Sequence, residues 1–242
     1  MLPSKLLVSL QSADELSMLT GFDLPWIDLK DPSAGSLGCP TPTVASEFLA
    51  AANRYIDRSR CHISIALGEL LDESWEQLGP IASSFDFAKV AMAGCAAQTD
   101  WQVKARMLAA KVGGGERLIL VHYADCNGAR SPNWSETLAA AVALRSQFIL
   151  IDTFNKSAGR LWDWYSPETI RELAASANKH GIELSIAGSL HIDELAMARA
   201  LGAKVIGVRG AACQDGSRLL GLSRDRLSAL TDLFSDRMVT NK

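Results

Sequence analysis

Short apolar runs rich in Val, Ile and Leu recur along the chain. Each gives way to a polar or Gly-containing turn and then to a longer stretch with Ala and Leu at helical spacing. The runs are Lys5 to Leu10, Pro25 to Lys30, His62 to Leu67, Asp86 to Met92, Arg117 to Tyr123, Gln147 to Asp152, Ile182 to Ala187 and Ala203 to Val208, eight in all. Between and after them the spacing predicts helices at Ala13 to Thr20, Thr43 to Ile56, Glu73 to Leu78, Gln98 to Val112, Trp134 to Leu144, Pro167 to His180, Ile192 to Leu201 and Arg224 to Phe234. Ser166-Pro167 reads as an N-cap followed by proline at the first helical position, and His180-Gly181 and Leu201-Gly202 read as glycine-terminated helix ends.

Eight strand–helix units of about 30 residues each, with no linker or charge block between them, predict an α/β fold: a single (β/α)8 TIM barrel forming one domain over residues 1–242. An open doubly wound sheet is the rival, but no G-x-G-x-x-G follows the first strand.

Composition narrows the function classes. The chain has 242 residues, 48% hydrophobic and 21% charged, which excludes a disordered or fibrous protein. Lys plus Arg is 24 against 27 Asp plus Glu, a net charge of -3, so a nucleic-acid partner is not expected. The five cysteines lie far apart without a Cys-x-x-Cys pair or a zinc-completing histidine, which predicts reduced thiols and no metal site. The apolar stretch in Met1 to Leu10 is too short for a signal-peptide core, and nowhere do about 18 apolar residues run together. The expectation is a cytoplasmic protein with no membrane contact.

In this fold catalytic groups sit where the strands end, so the polar residues closing each run are the candidates. The second run ends Ile27-Asp28-Leu29-Lys30, and a period of two puts Asp28 and Lys30 on the same side of the strand. Lys89 interrupts the fourth run, Asp152 closes the sixth, and Lys156 follows in the next loop. A lysine within a strand this apolar calls for a reason. One reason is amine chemistry: a lysine becomes a nucleophile toward carbonyl groups when desolvation or a second cation lowers its pKa, and nearby carboxylates can hold the ammonium groups and move protons. The alternative is a set of ordinary ion pairs at a barrel rim.

The seventh run leads into Gly188-Ser189 and the eighth into Arg209-Gly210, where barrels often bind phosphate through backbone N–H groups, with Arg209 adding a charge. Tight turns would also explain those glycines. His122, in the fifth run, either faces the mouth as a substrate-binding group or satisfies a core hydrogen bond. Trp162 and Trp164 read as a lid or a subunit contact.

Five blocks carry a family resemblance that spans nearly the whole chain in order. They are Ile27-Asp28-Leu29-Lys30-Asp31-Pro32 with Gly35-Ser36-Leu37-Gly38, Ala88-Lys89-Val90, Asp152-Thr153-Phe154-Asn155-Lys156, Ala187-Gly188-Ser189 and Gly207-Val208-Arg209-Gly210-Ala211. Together they resemble the (5-formylfuran-3-yl)methyl phosphate synthases. The resemblance implies a phosphate-binding (β/α)8 lyase that condenses two molecules of glyceraldehyde 3-phosphate into 4-(hydroxymethyl)-2-furancarboxaldehyde phosphate, releasing phosphate and water, for methanofuran-type one-carbon carriers. It implies no cofactor. It places the Schiff-base lysine at Lys30, the proton-accepting lysine at Lys89, and the assisting acid and lysine at Asp152 and Lys156. Ala91 stands where the family commonly has Gly, and is expected to narrow the cavity slightly. A class I aldolase or isomerase of triose phosphates and a non-catalytic barrel subunit are the rivals. The expected partners are the small-molecule substrate and further copies of the chain in a homo-oligomer.

Overall fold

The computed structural model describes residues 4–235. The strands are β1 (Lys5–Leu10), β2 (Trp26–Leu29), β3 (His62–Glu69), β4 (Phe87–Ala91), β5 (Leu118–Tyr123), β6 (Phe148–Asp152), β7 (Glu183–Ile186) and β8 (Val205–Val208). They close into one barrel in chain order, with β8 returning to β1, and all neighbours pair in parallel. The expected (β/α)8 architecture is therefore the observed one.

Parallel strands covered by helices are buried on both faces, so the runs read as nearly continuous apolar sequence. Leu6, Val8, Ile27, Leu29, Val90, Leu120, Ile149, Ile151 and Ile206 point outward into the core shared with the helices. Leu7, Trp26, Phe87, Ile119, Phe148, Leu150 and Val205 belong to a second cluster inside the ring. Trp26 seals the strands' N-terminal end, its ring centroid 4.9 Å from that of Phe87 and 5.3 Å from that of Phe148.

The helices follow the predicted places with two kinds of departure. Pro42–Tyr55, Trp101–Lys111, Trp134–Leu144, Pro167–Asn178 and Arg224–Phe234 are α-helices. Ser166 caps the fourth of these as expected, accepting from the Thr169 N–H ahead of Pro167. Asp14–Leu19 and Ser74–Leu78 are instead 3-10 turns, the second running into a single α-turn at Gly79–Ala82, where Pro80 cannot donate to a continuing ladder. The predicted Ile192 to Leu201 helix likewise starts as a 3-10 turn before Leu195–Arg199. Two short helices, Cys126–Ala129 and Leu161–Trp164, lie in loops where none is predicted. No helix among the described residues is long and apolar enough to cross a membrane.

At mid-height the barrel departs from the branched apolar filling usual for this fold. The inward positions there include Ser9, Asp28, Ser64, Lys89, Ser185 and Gly207, all polar or small. A pocket therefore opens in the middle of the ring and reaches the C-terminal ends of the strands.

Candidate active site

Two charged clusters share the pocket. In the first, Lys89 Nζ lies 2.6 Å from Asp28 Oδ2. Asp28 is wholly buried and also accepts from Ser64 Oγ at 2.7 Å and Ser9 Oγ at 3.2 Å. Lys89 reaches the pocket wall, whereas Asp28 stands behind it. Asp28 thus meets the pocket only through its contact with Lys89.

In the second cluster Lys156 bonds Asp152 and, at 3.1 Å, Thr153 Oγ1. Asp152 also accepts from the Thr153 N–H at 2.8 Å and from Ser36 Oγ at 3.3 Å. Burial works against the Asp152 charge, yet the Lys156 and Lys30 ammonium groups hold its carboxyl below the usual carboxylate range.

Lys30 lies between the clusters. It follows the last residue of β2, its N–H bonds Leu10 O at 2.9 Å, and its side chain lines the pocket together with Lys89, Asp152 and Lys156. It has no ion-pair partner among the described residues. Burial pushes its pKa from 10.5 to about 7, with Lys156 and Lys89 assisting and the Asp152 and Asp28 charges opposing. The shift favours the neutral amine, the form of a lysine that can act as a nucleophile.

At the mouth Gly188 and Ser189 adopt left-handed backbone angles, φ 116° and 56°. A Cβ at Gly188 would stand 3.1 Å from Leu161 Cβ and 3.3 Å from Thr153 Cγ2, so only glycine suits the turn. The Gly188 and Ser189 N–H groups have no protein acceptor among the described residues, and both residues line the pocket with Gly210. Successive free N–H groups in such a turn form an anion-binding concavity.

Three expectations need correction. Arg209 reaches the pocket, but Glu15, the Ser9, Arg218 and Leu220 carbonyls take all five of its guanidinium N–H donors, Glu15 in a bidentate pair at 2.6 and 2.9 Å. It braces the loops and has no donor left for a phosphate. His122 points out of the ring, where its Nε2 lies 2.8 Å from the Tyr165 hydroxyl and its ring meets Trp134. Burial lowers its pKa to about 4, so it is a neutral core histidine and does not join the site. Ala91 packs inside the ring away from the pocket wall and does not narrow it.

Sequence reading missed Arg218. It arches from the loop after β8 to the loop after β2, donating through Nη2 to Pro32 O at 3.0 Å and Gly35 O at 2.6 Å, and it lines the pocket. Its Nε is buried without a partner among the described residues. Ser9, Ser64 and Ser185, inside apolar strands, also went unremarked; a hydroxyl at an inward position of a barrel strand is the signal they offered.

A family model described as 4-HFC-P synthase matches residues 6–231. A (5-formylfuran-3-yl)methyl phosphate synthase from Methanopyrus kandleri is 31% identical over 230 residues, 92% of this chain and 95% of the relative. The enzyme of the same name from Methanococcus maripaludis is 29% identical over 220 residues, 87% and 90% of the two chains. Among solved structures, 3-hexulose-6-phosphate synthase from Salmonella typhimurium superposes with a TM-score of 0.63 at 11% identity, over 95% of this chain and 98% of that one, a likeness of fold.

Proposed function

The chain belongs to the 4-HFC-P synthase family, and from that premise we propose that it is a carbon–oxygen lyase joining two molecules of glyceraldehyde 3-phosphate into (5-formylfuran-3-yl)methyl phosphate, a furan intermediate for methanofuran-type one-carbon carriers. The atoms balance when one phosphate and two waters leave. The observation that carries the reading is the placing of Lys30, without an ion-pair partner among the described residues, in a pocket shared with Lys89, Lys156 and the buried Asp152; burial there lowers its pKa.

In this reading Lys30 attacks the carbonyl carbon of one triose phosphate, losing water and forming an imine. Protonated, the imine acidifies the adjacent C–H, and the Lys89–Asp28 pair accepts that proton. The resulting enamine expels that triose's own phosphate from C3, and the enol carbon so formed adds to C2 of the second triose phosphate in its ketone form. Closing the second unit's C1 hydroxyl onto C2 of the first, losing two waters and hydrolysing the imine gives the furan aldehyde and frees Lys30. Asp152 and Lys156 are positioned to return protons to departing oxygens, and Lys156 keeps Lys30 from holding its own proton. The Gly188–Ser189 turn and Gly210 hold the phosphate that stays in the product, and Arg218 supplies the cation at the mouth that Arg209 cannot.

Mixing the purified chain with glyceraldehyde 3-phosphate should give free phosphate and a conjugated aldehyde absorbing in the near ultraviolet, in equal amounts. An aldolase or isomerase gives neither. A flat spectrum with no phosphate release from a folded protein refutes the assignment.

A further inference from the structure

The pocket is deeper than an imine-forming mouth requires. Below Lys30 it continues to Leu7, Trp26, Ile119, Leu150 and Val205, the innermost apolar layer of the barrel. The hollow lies toward β7, β8 and β1, because the inward positions there are Ser185, Ala187, Gly207 and Ser9. On the opposite side Tyr123 fills the ring, its hydroxyl donating to Glu69 at 2.6 Å over Ala66 and Ala91.

Resting on the reading above, we infer that this hollow is a binding site for the furan ring, with the formyl group lowest and the methylene phosphate at the mouth. From floor to mouth the pocket has a volume of about 160 Å³, and since a cavity of about 150 Å³ is enough to hold benzene it has room for one ring. Its floor is apolar, and of the polar groups on its wall Ser9 already donates to Asp28 and Lys89 is paired with Asp28, which leaves the Ser185 hydroxyl. The open-chain condensation product lowered onto it would leave several hydroxyls for the one Ser185 group to satisfy, an unfavourable burial, whereas a furan ring has none to strand. The one polar group of the ring's far end is the formyl oxygen, an acceptor. Ser185 supplies the matching donor: its hydroxyl has no partner among the described residues, and it lines the hollow. The phosphate, on the other side of the ring, then emerges toward Gly188 and Ser189. A chamber that favours the dehydrated ring over its hydroxylated precursors favours the last water losses, since only interactions that strengthen along the reaction accelerate it.

Gly207 allows a test. A Cβ there would sit 3.6 Å from Ala187 Cβ and from Leu7 Cδ2, ordinary contact on the wall of the hollow, and Gly207→Val adds volume at that point. The probes are 4-(hydroxymethyl)furan-2-carboxaldehyde and inorganic phosphate, titrated by calorimetry. Gly207→Val should weaken the ring aldehyde about tenfold or more while leaving phosphate affinity within about twofold. Ser185→Ala, which removes one hydroxyl, should weaken the ring aldehyde by about fivefold and serves if the valine variant does not fold. A crystal soaked with the ring aldehyde should place the ring against Leu7, Ile119, Leu150 and Val205. Unchanged ring affinity in the folded variants, or a ring bound outside Lys30 at the rim, overturns the inference. Failure of the wild-type chain to make a furan from glyceraldehyde 3-phosphate overturns the functional reading instead, and ring binding is measured without turnover.

Discussion

Lys30 is the residue on which burial and chemistry meet. Its folded pKa of about 7 against 10.5 means that the amine becomes neutral as pH rises through 7. The rate of imine formation should therefore climb about tenfold per pH unit below 7 and level off above about 8, which initial rates across pH 5.5 to 9 will read. The same shift sets a stability window. Below pH 7 the lysine is protonated in both states and its buried charge weighs fully on the fold; between 7 and 10.5 the unfolded chain holds the proton that the folded chain has released, so stability rises with pH. Lys30→Met should be inactive yet melt about 2 °C or more above the parent at pH 6, with the gain shrinking toward pH 10. A variant less stable than the parent at pH 6 would show that Asp152 and Asp28 need the charge more than burial resists it.

At the scale of elements, the site is held by loops tied to one another over the strand ends. Glu15, in the 3-10 turn after β1, takes the bidentate Arg209 pair that closes β8 onto β1. Both partners are buried, so removing one strands a charge. Arg209→Met should cost about 3 kcal/mol and lower Tm by about 6–12 °C. Arg218→Ala, by contrast, should leave Tm within a few degrees and raise KM for glyceraldehyde 3-phosphate about tenfold. Thermal scans beside steady-state kinetics separate a brace from a binding group. If Arg209→Met melts normally and loses substrate affinity, the two arginines have been assigned the wrong way round.

For the whole molecule, the barrel was legible because strands buried on both faces spell out continuous apolar runs, and eight of them in regular alternation with helices leave little choice of topology. Asp28 and Lys30 were legible because β2 alternates polar with apolar residues, so one parity of the strand declares itself. In β5 both faces are apolar, the parity is hidden, and His122 fell on the outer one. Arg209 was misread because the carboxylate that occupies it lies 194 residues away, a pairing no local pattern contains. Arg218 sits in an irregular loop and becomes a pocket residue only when that loop crosses to Pro32 and Gly35. The 3-10 turns escaped notice because helical spacing over five or six residues does not separate one kind of turn from the other. Charge behaves similarly: a net -3 over the chain says nothing of a pocket in which Lys89 and Lys156 are paired with Asp28 and Asp152 while Arg218 stands at the mouth without a carboxylate partner among the described residues.

The imine at Lys30 is tested most directly by adding borohydride to the protein during turnover with glyceraldehyde 3-phosphate and mapping the modified peptide by mass spectrometry. A reduced triose adduct should form on Lys30 and be absent from Lys30→Ala, which also makes no furan. Product formation with no adduct, or with the adduct on Lys89 or Lys156 alone, contradicts it.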